Sequence, residues 1–337
     1  MKLPNLHDLQ HSAINALLPL ETVAELIQSG APLALAGTPA ALSALPPGRW
    51  IGGTTAYFMT DEGGVVVGDD RVFVTDLSAL GTVEVTSVAA GDLARISTDA
   101  PDHGFALTII PAESECHSRF ALEAPFFPDT FLKPTVGWIA GYDLAKGGPA
   151  LVFDGREAKA HENRAVVAFV SFEGDALARP EIVNPFRAGN GAVLHFAEPG
   201  FLHRTCIVDG EVTDFAMYLR ANGLDQGKLP LVGDHGGAPI NVSVQRIDDE
   251  GMVHLYAPVF AGIDYRFAAP VDDYAAALTT GIDAQTTDGA CWSCNCILNF
   301  MFGELEGKSI GGIAGPVTFG EIAYQLVNQT LVTLRRI

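Results

Sequence analysis

Residues 303–329 read GELEGKSIGGIAGPVTFGEIAYQLVNQ, six glycines and one proline set between short apolar runs. Glycine at this density turns a chain sharply and lets backbone approach a neighbour closely. The stretch therefore reads as brief strands joined by tight turns. Just upstream, residues 291–296 (CWSCNC) crowd three thiols into six positions. The rest of the chain is expected to bring this region against a similar glycine turn in the N-terminal half, Gly52-Gly53-Thr54-Thr55.

Outward from that stretch, short signals alternate along the chain. Residues 6–18 and 20–27 read as amphipathic helices, the second with Leu20, Val23, Ala24 and Ile27 on one face. Residues 33–36 read as a buried strand, and Thr38-Pro39 opens a helix through Leu45. Residues 50–57 read as one strand interrupted by the glycine turn. Strands are expected at 65–67, 72–75, 83–88, 106–110, 134–142, 150–153 and 165–172, with a helix at 115–124.

Prolines and the Gly189-Asn190-Gly191 turn punctuate residues 180–212, which divides the chain into halves 1–185 and 186–337. Beyond them, Thr213 caps a helix to Asn222. Strands at 240–245 and 252–256 are joined through Asp248-Asp249-Glu250-Gly251. A helix follows at 272–280, and residues 331–334 close the chain as a strand. Residues 136–141 (VGWIAG) and 310–315 (IGGIAG) echo one another, each read as an apolar strand ending in Ile-Ala-Gly. The expected fold is mixed α/β (α+β): two related strand-rich halves, with sheets packed at the centre and helices outside.

Composition narrows the function. The 337 residues carry 40 acidic and 20 basic side chains, a net charge of −20. Such a field repels nucleic-acid phosphates and anionic membrane surfaces, so neither is an expected partner. The long uncharged stretch at residues 30–47 is broken by Gly37 and three later prolines and is no bilayer span. Residues 1–10 lack the pattern of a secretory signal. Five cysteines, an odd number, suit reduced thiols in the cytoplasm.

The chemistry-bearing candidates are few. Successive N–H groups at Gly52-Gly53 and Gly311-Gly312 can cradle an acidic group, and Thr54 and Thr55 add hydroxyls. The same glycines also suit plain β connections. Residues 303–309 (GELEGKS) miss the phosphate-binding loop by one residue between the glycines, and two acids stand where phosphate would lie. Cys291, Cys294 and Cys296 lack a second ligand pair for zinc, so no metal or cofactor is expected. Cys294 or Cys296 could serve as a nucleophile only beside a base; otherwise they are small buried hydrophobes. Glu321 is a lone acid among Phe319, Ile322, Ala323 and Tyr324. It reads either as a partner for a ligand ammonium or as a capping box with Thr318. Trp138, Tyr142 and Phe319 can wall a pocket or pack a core.

The order of these pieces resembles the FIST family of sensory domains. The cues are residues 33–45, Ile51-Gly52-Gly53-Thr54-Thr55-Ala56, residues 134–143, Val152-Phe153-Asp154-Gly155, Ala257-Pro258-Val259 with Gly262, Ser293-Cys294, Gly315-Pro316-Val317-Thr318-Phe319-Gly320-Glu321-Ile322, and Asn328-Gln329-Thr330. The resemblance implies a domain that senses small ligands, amino acids among them. Members are often joined to kinase, cyclase or chemoreceptor outputs, for which 337 residues leave no room. The cysteine segment departs from the pattern, running Cys294-Asn295-Cys296-Ile297 where the family continues toward an arginine.

Residues and resemblance together point to a cytoplasmic small-molecule sensory protein. The expected ligand site comprises Gly52, Gly53, Thr54, Thr55, Trp138, Ala140, Gly141, Tyr142, Cys294, Asn295, Gly311, Gly312, Phe319, Gly320 and Glu321. The rival readings are a thiol enzyme built on Cys294 or Cys296 and a non-catalytic subunit of a signalling assembly with a protein partner.

Overall fold

Both faces of the central strands are apolar, and this sets the architecture. In the strand Arg164–Ser171, Ala165, Val167 and Phe169 enter one hydrophobic cluster, while Val166, Ala168 and Val170 enter another. Side chains alternate across a strand, so this sheet must be covered on both sides. The computed structural model describes residues 15–282 and 289–337. It is a strand-rich α+β fold with several packed sheets and few helices.

The central sheet runs in the order Gln325–Val327, Glu321–Ala323, Thr135–Ala140, Gly104–Pro111, Arg164–Ser171, Thr82–Ala89. Against one face lies a second sheet, ordered Asn15–Pro19, Arg71–Asp76, Leu33–Gly37, Trp50–Thr54, Val152–Asp154, Lys159–His161. A third joins Ala178–Val183, Leu331–Arg336, Ala290–Cys296, Gly315–Thr318, Tyr57–Thr60 and Gly63–Val66. The other face of the central sheet is covered by the helix Glu115–Glu123 and by a six-stranded and a three-stranded sheet built from residues 194–267. Strands that follow residue 289 thus share two sheets with strands that precede residue 184. The chain on either side of residue 185 is interlocked. Among the described residues, no helix is long and apolar enough to cross a membrane.

Local signals explain most elements. Thr38 accepts a hydrogen bond from the Ala41 N–H, and Pro39 begins the helix Pro39–Ser43. Ser114 and Asp273 likewise cap Glu115–Glu123 and Tyr274–Gly281. The cap expected at Thr213 is provided one residue later by Asp214.

Three expectations are corrected. The helix read at 6–18 lies mostly outside the described residues, and its described end belongs to the strand Asn15–Pro19. Residues 50–57 are not one strand around a turn. Trp50–Thr54 ends in one sheet and Tyr57–Thr60 begins in another. The echo of 136–141 and 310–315 is not structural, because Gly311 (φ 55°) and Gly312 (φ 71°) form a left-handed turn where a strand was expected.

Candidate functional site

Thr54 and Thr55 sit where three sheets meet, and their hydroxyls are spent there. The Thr54 Oγ1 donates to the Gly141 carbonyl at 2.6 Å, and the Thr55 Oγ1 donates to the Val317 carbonyl at 2.6 Å. Both threonines are buried. Gly52 and Gly53 lie inside a strand paired on both sides, with Leu33–Gly37 and Val152–Asp154. Their backbone serves the sheet rather than a ligand cradle. A Cβ on Gly53 would stand 2.5 Å from Ile109 Cγ2 and 2.9 Å from Trp138 Nε1. Glycine is needed here for close approach of two sheets, not for a turn.

Trp138, Ala140, Cys294, Asn295, Gly320 and Glu321 are buried as well. Trp138 stacks on Trp292, with ring centroids 6.2 Å apart. Glu321 pairs opposite Trp138 across antiparallel strands, so its side chain points into the apolar face shared with Cys294. One carboxylate oxygen, Oε2, accepts from the Thr330 N–H at 3.2 Å and the Thr330 Oγ1 at 2.7 Å. Oε1 has no partner among the described residues. Burial pushes this carboxyl up to about 8, against the pull of the Thr330 hydrogen bonds. Glu321 is therefore a neutral acid near pH 7, which removes the charge that would hold an ammonium.

A buried polar chain continues from this point. Asn299 Nδ2 donates to Asn295 Oδ1 and to the Thr330 carbonyl, and Tyr274 Oη donates to Asn299 Oδ1. Gln329 then donates to Tyr274 Oη and to the Lys228 carbonyl, and accepts from Ser243. Asn328, Gln329 and Thr330 are all buried; Gln329 and Thr330 cross-link the sheets, while neither polar atom of the Asn328 side chain has a partner among the described residues.

The thiols show no activation. Cys294 and Cys296 are buried, and burial together with nearby Glu321 raises both thiols well above their ordinary range. Among the described residues no group of three or more His, Cys, Asp and Glu is placed to hold a metal ion. Gly311 and Gly312 are exposed, and Gly312 lines only a small hollow of about 190 Å³ beside Asp61 and Ser293.

A larger cavity lies elsewhere, and two of the expected residues reach it. Tyr142 and Phe319 line a hollow of about 780 Å³ together with Glu113, His117, Arg246, His254 and Tyr256. The rings of Tyr142 and Phe319 meet edge to face at 4.8 Å. Gly141 permits this, since a Cβ there would fall 2.2 Å from Phe319 Cδ1.

Each polar group has a positional reason. Glu113 and Tyr142 follow the carboxyl ends of the adjacent parallel strands Gly104–Pro111 and Thr135–Ala140. Glu113 adopts a left-handed backbone (φ 59°), an uncommon conformation for a glutamate, and its Oε1 accepts from Tyr142 Oη at 3.4 Å. Arg246 pairs opposite His254 in a small sheet, beside a bulge that brings neighbouring Gln245 to the same cavity. Arg246 makes no ion pair among the described residues, whereas His254 is held by Asp248 at 2.9 Å. His117 Nδ1 accepts from the Glu113 N–H at 3.4 Å, and burial lowers its imidazole to about 4, leaving it neutral. Tyr256 is also raised by burial.

Sequence reasoning missed Glu113, His117, Arg246, His254 and Tyr256. Glu113 and His117 come from one segment, and Arg246, His254 and Tyr256 from a pair of strands far along the chain; only the fold brings the two groups to one cavity. The hairpin around Asp248 was the one available signal that Arg246 and His254 face each other.

A model of a family of unknown function, DUF6976, matches residues 18–336. The chain belongs to this family. No curated protein and no solved structure matches it. DUF6976 membership thus covers both the cavity and the buried Glu321 cluster without assigning a role to either.

Proposed function

We propose that this protein is a cytoplasmic small-molecule sensory protein whose ligand occupies the cavity between Tyr142, Phe319 and Arg246. The FIST-like order of motifs supports a sensory role, and amino acids remain the first ligands to try. The observation that carries the reading is one cavity lined by the acid Glu113, by Arg246, which has no ion pair among the described residues, and by the rings of Tyr142, Phe201, Tyr256 and Phe319. Its volume of about 780 Å³ falls in the range of small-molecule sites, which combine apolar walls with a few placed polar groups. Arg246 would receive an acidic end by a bidentate contact, and Glu113 a basic end, with Tyr142, Tyr256 and Phe319 against the body of the ligand. Glu321, protonated and enclosed, takes no part.

A thermal-shift screen of amino acids and small carboxylates tests this. A stabilising ligand should lose its effect with Arg246→Gln or Glu113→Gln and keep it with Glu321→Gln. A shift that survives both cavity variants would place the ligand elsewhere.

A further inference from the structure

A second hollow, of about 680 Å³, adjoins the first, and the two share Leu122 and Pro199 as lining residues. Its walls differ in kind. Phe126, Phe131, Phe260 and Ile263 line it, and no Asp, Glu, Lys or Arg does. Phe126 is 76% exposed and Phe131 62% exposed, and the neighbouring Leu132 is 80% exposed. Three large apolar side chains left to water within seven residues are unusual on a protein surface and mark a binding region. Phe126 meets Phe260 edge to face, with centroids 6.2 Å apart, so the exposed ring already leans over the hollow.

The two adjoining hollows thus differ in chemistry. The first holds Arg246, without an ion pair among the described residues, and Glu113 with Tyr142; past Leu122 and Pro199 the lining is apolar and aromatic apart from His235 and Gln325. We propose that the two hollows form one amphipathic site for a straight-chain carboxylate, its head at Arg246 and its hydrocarbon tail along Phe126, Phe131 and Phe260. A free amino acid would fill only the charged end and leave the apolar end wet. A hydrocarbon tail covers the exposed rings of Phe126 and Phe131. The inference rests on the cavity at Tyr142 and Phe319 being the ligand site.

Calorimetry on the full chain with butanoate, hexanoate, octanoate, decanoate and dodecanoate tests it. Affinity should rise about fourfold per added methylene until the groove is full. Arg246→Gln should weaken every member. Ala261 lies on an exposed loop and lines the apolar hollow. Ala261→Trp, checked for folding by circular dichroism, should abolish the gain with length and leave butanoate binding unchanged. A flat series, or a gain that Ala261→Trp leaves intact, overturns the inference. If amino acids bind while the series stays flat, the first reading survives and this one fails. Silence from both ligand sets removes the cavity as a ligand site altogether.

Discussion

Gly53 lies so close to Trp138 that a Cβ at this position would stand 2.9 Å from the indole Nε1. The contact joins two sheets of the core, since Trp138 belongs to the central sheet and Gly53 to the sheet packed on it. Gly53→Ala must push the sheets apart or tilt the indole, and Ile109 blocks the other side at 2.5 Å. Overpacking of this kind costs about 1–3 kcal/mol. Urea unfolding should show a lower midpoint with an unchanged slope. An unaltered midpoint would mean that the sheets yield without cost.

Glu321 makes stability depend on pH in a direction opposite to that of most carboxylates. Its ordinary value of 4.5 rises to about 8 on folding. Between those values the unfolded chain releases the proton while the folded chain keeps it. The stability due to neutral Glu321 is therefore fully present below the lower value and lost as pH rises through the upper one. The loss is on the order of a few kcal/mol. Glu321→Gln should flatten this decline, which urea midpoints from mildly acidic to mildly alkaline pH will measure. Parallel slopes for both proteins would show that the acid already ionises in the fold.

Cys294 and Cys296 are expected to resist alkylation. Both are buried, with thiols raised well above their usual range. At neutral pH, iodoacetamide should modify them only after unfolding, as mass spectrometry of digests will read. Fast labelling of either in the folded protein would revive the thiol-enzyme reading.

Legibility in the sequence follows the range of the forces involved. Helix starts are local, and the Thr38-Pro39 pair announces its helix correctly. Strands dense in β-branched residues, such as Arg164–Ser171, are equally plain. Sheet membership is not local. Nothing in residues 50–57 signals that the chain changes sheets at Thr54-Thr55, because the deciding hydrogen bonds go to Gly141 and Val317. Glycine misleads for a related reason: a residue that lets two sheets close up, as Gly53 does, looks the same in sequence as one that turns the backbone, as Gly311 does. In sequence Tyr142, Phe319 and Trp138 read alike, as aromatics that wall a pocket or pack a core; the fold puts the first two at the cavity and buries the third. Arg246 and Tyr256 sit on a hairpin that the sequence signals, but nothing local places that hairpin against Tyr142 and Phe319.

The junction at Thr54 and Thr55 has a consequence for how the molecule can be handled. Severing the chain near residue 185 would strip Glu321–Ala323 from Thr135–Ala140 and Gly315–Thr318 from Tyr57–Thr60. Each fragment would expose raw β edges lined by apolar residues, an invitation to aggregate. Recombinant truncations are thus a poor route to a smaller ligand-binding unit, and the two fragments should recover a soluble form only when expressed together.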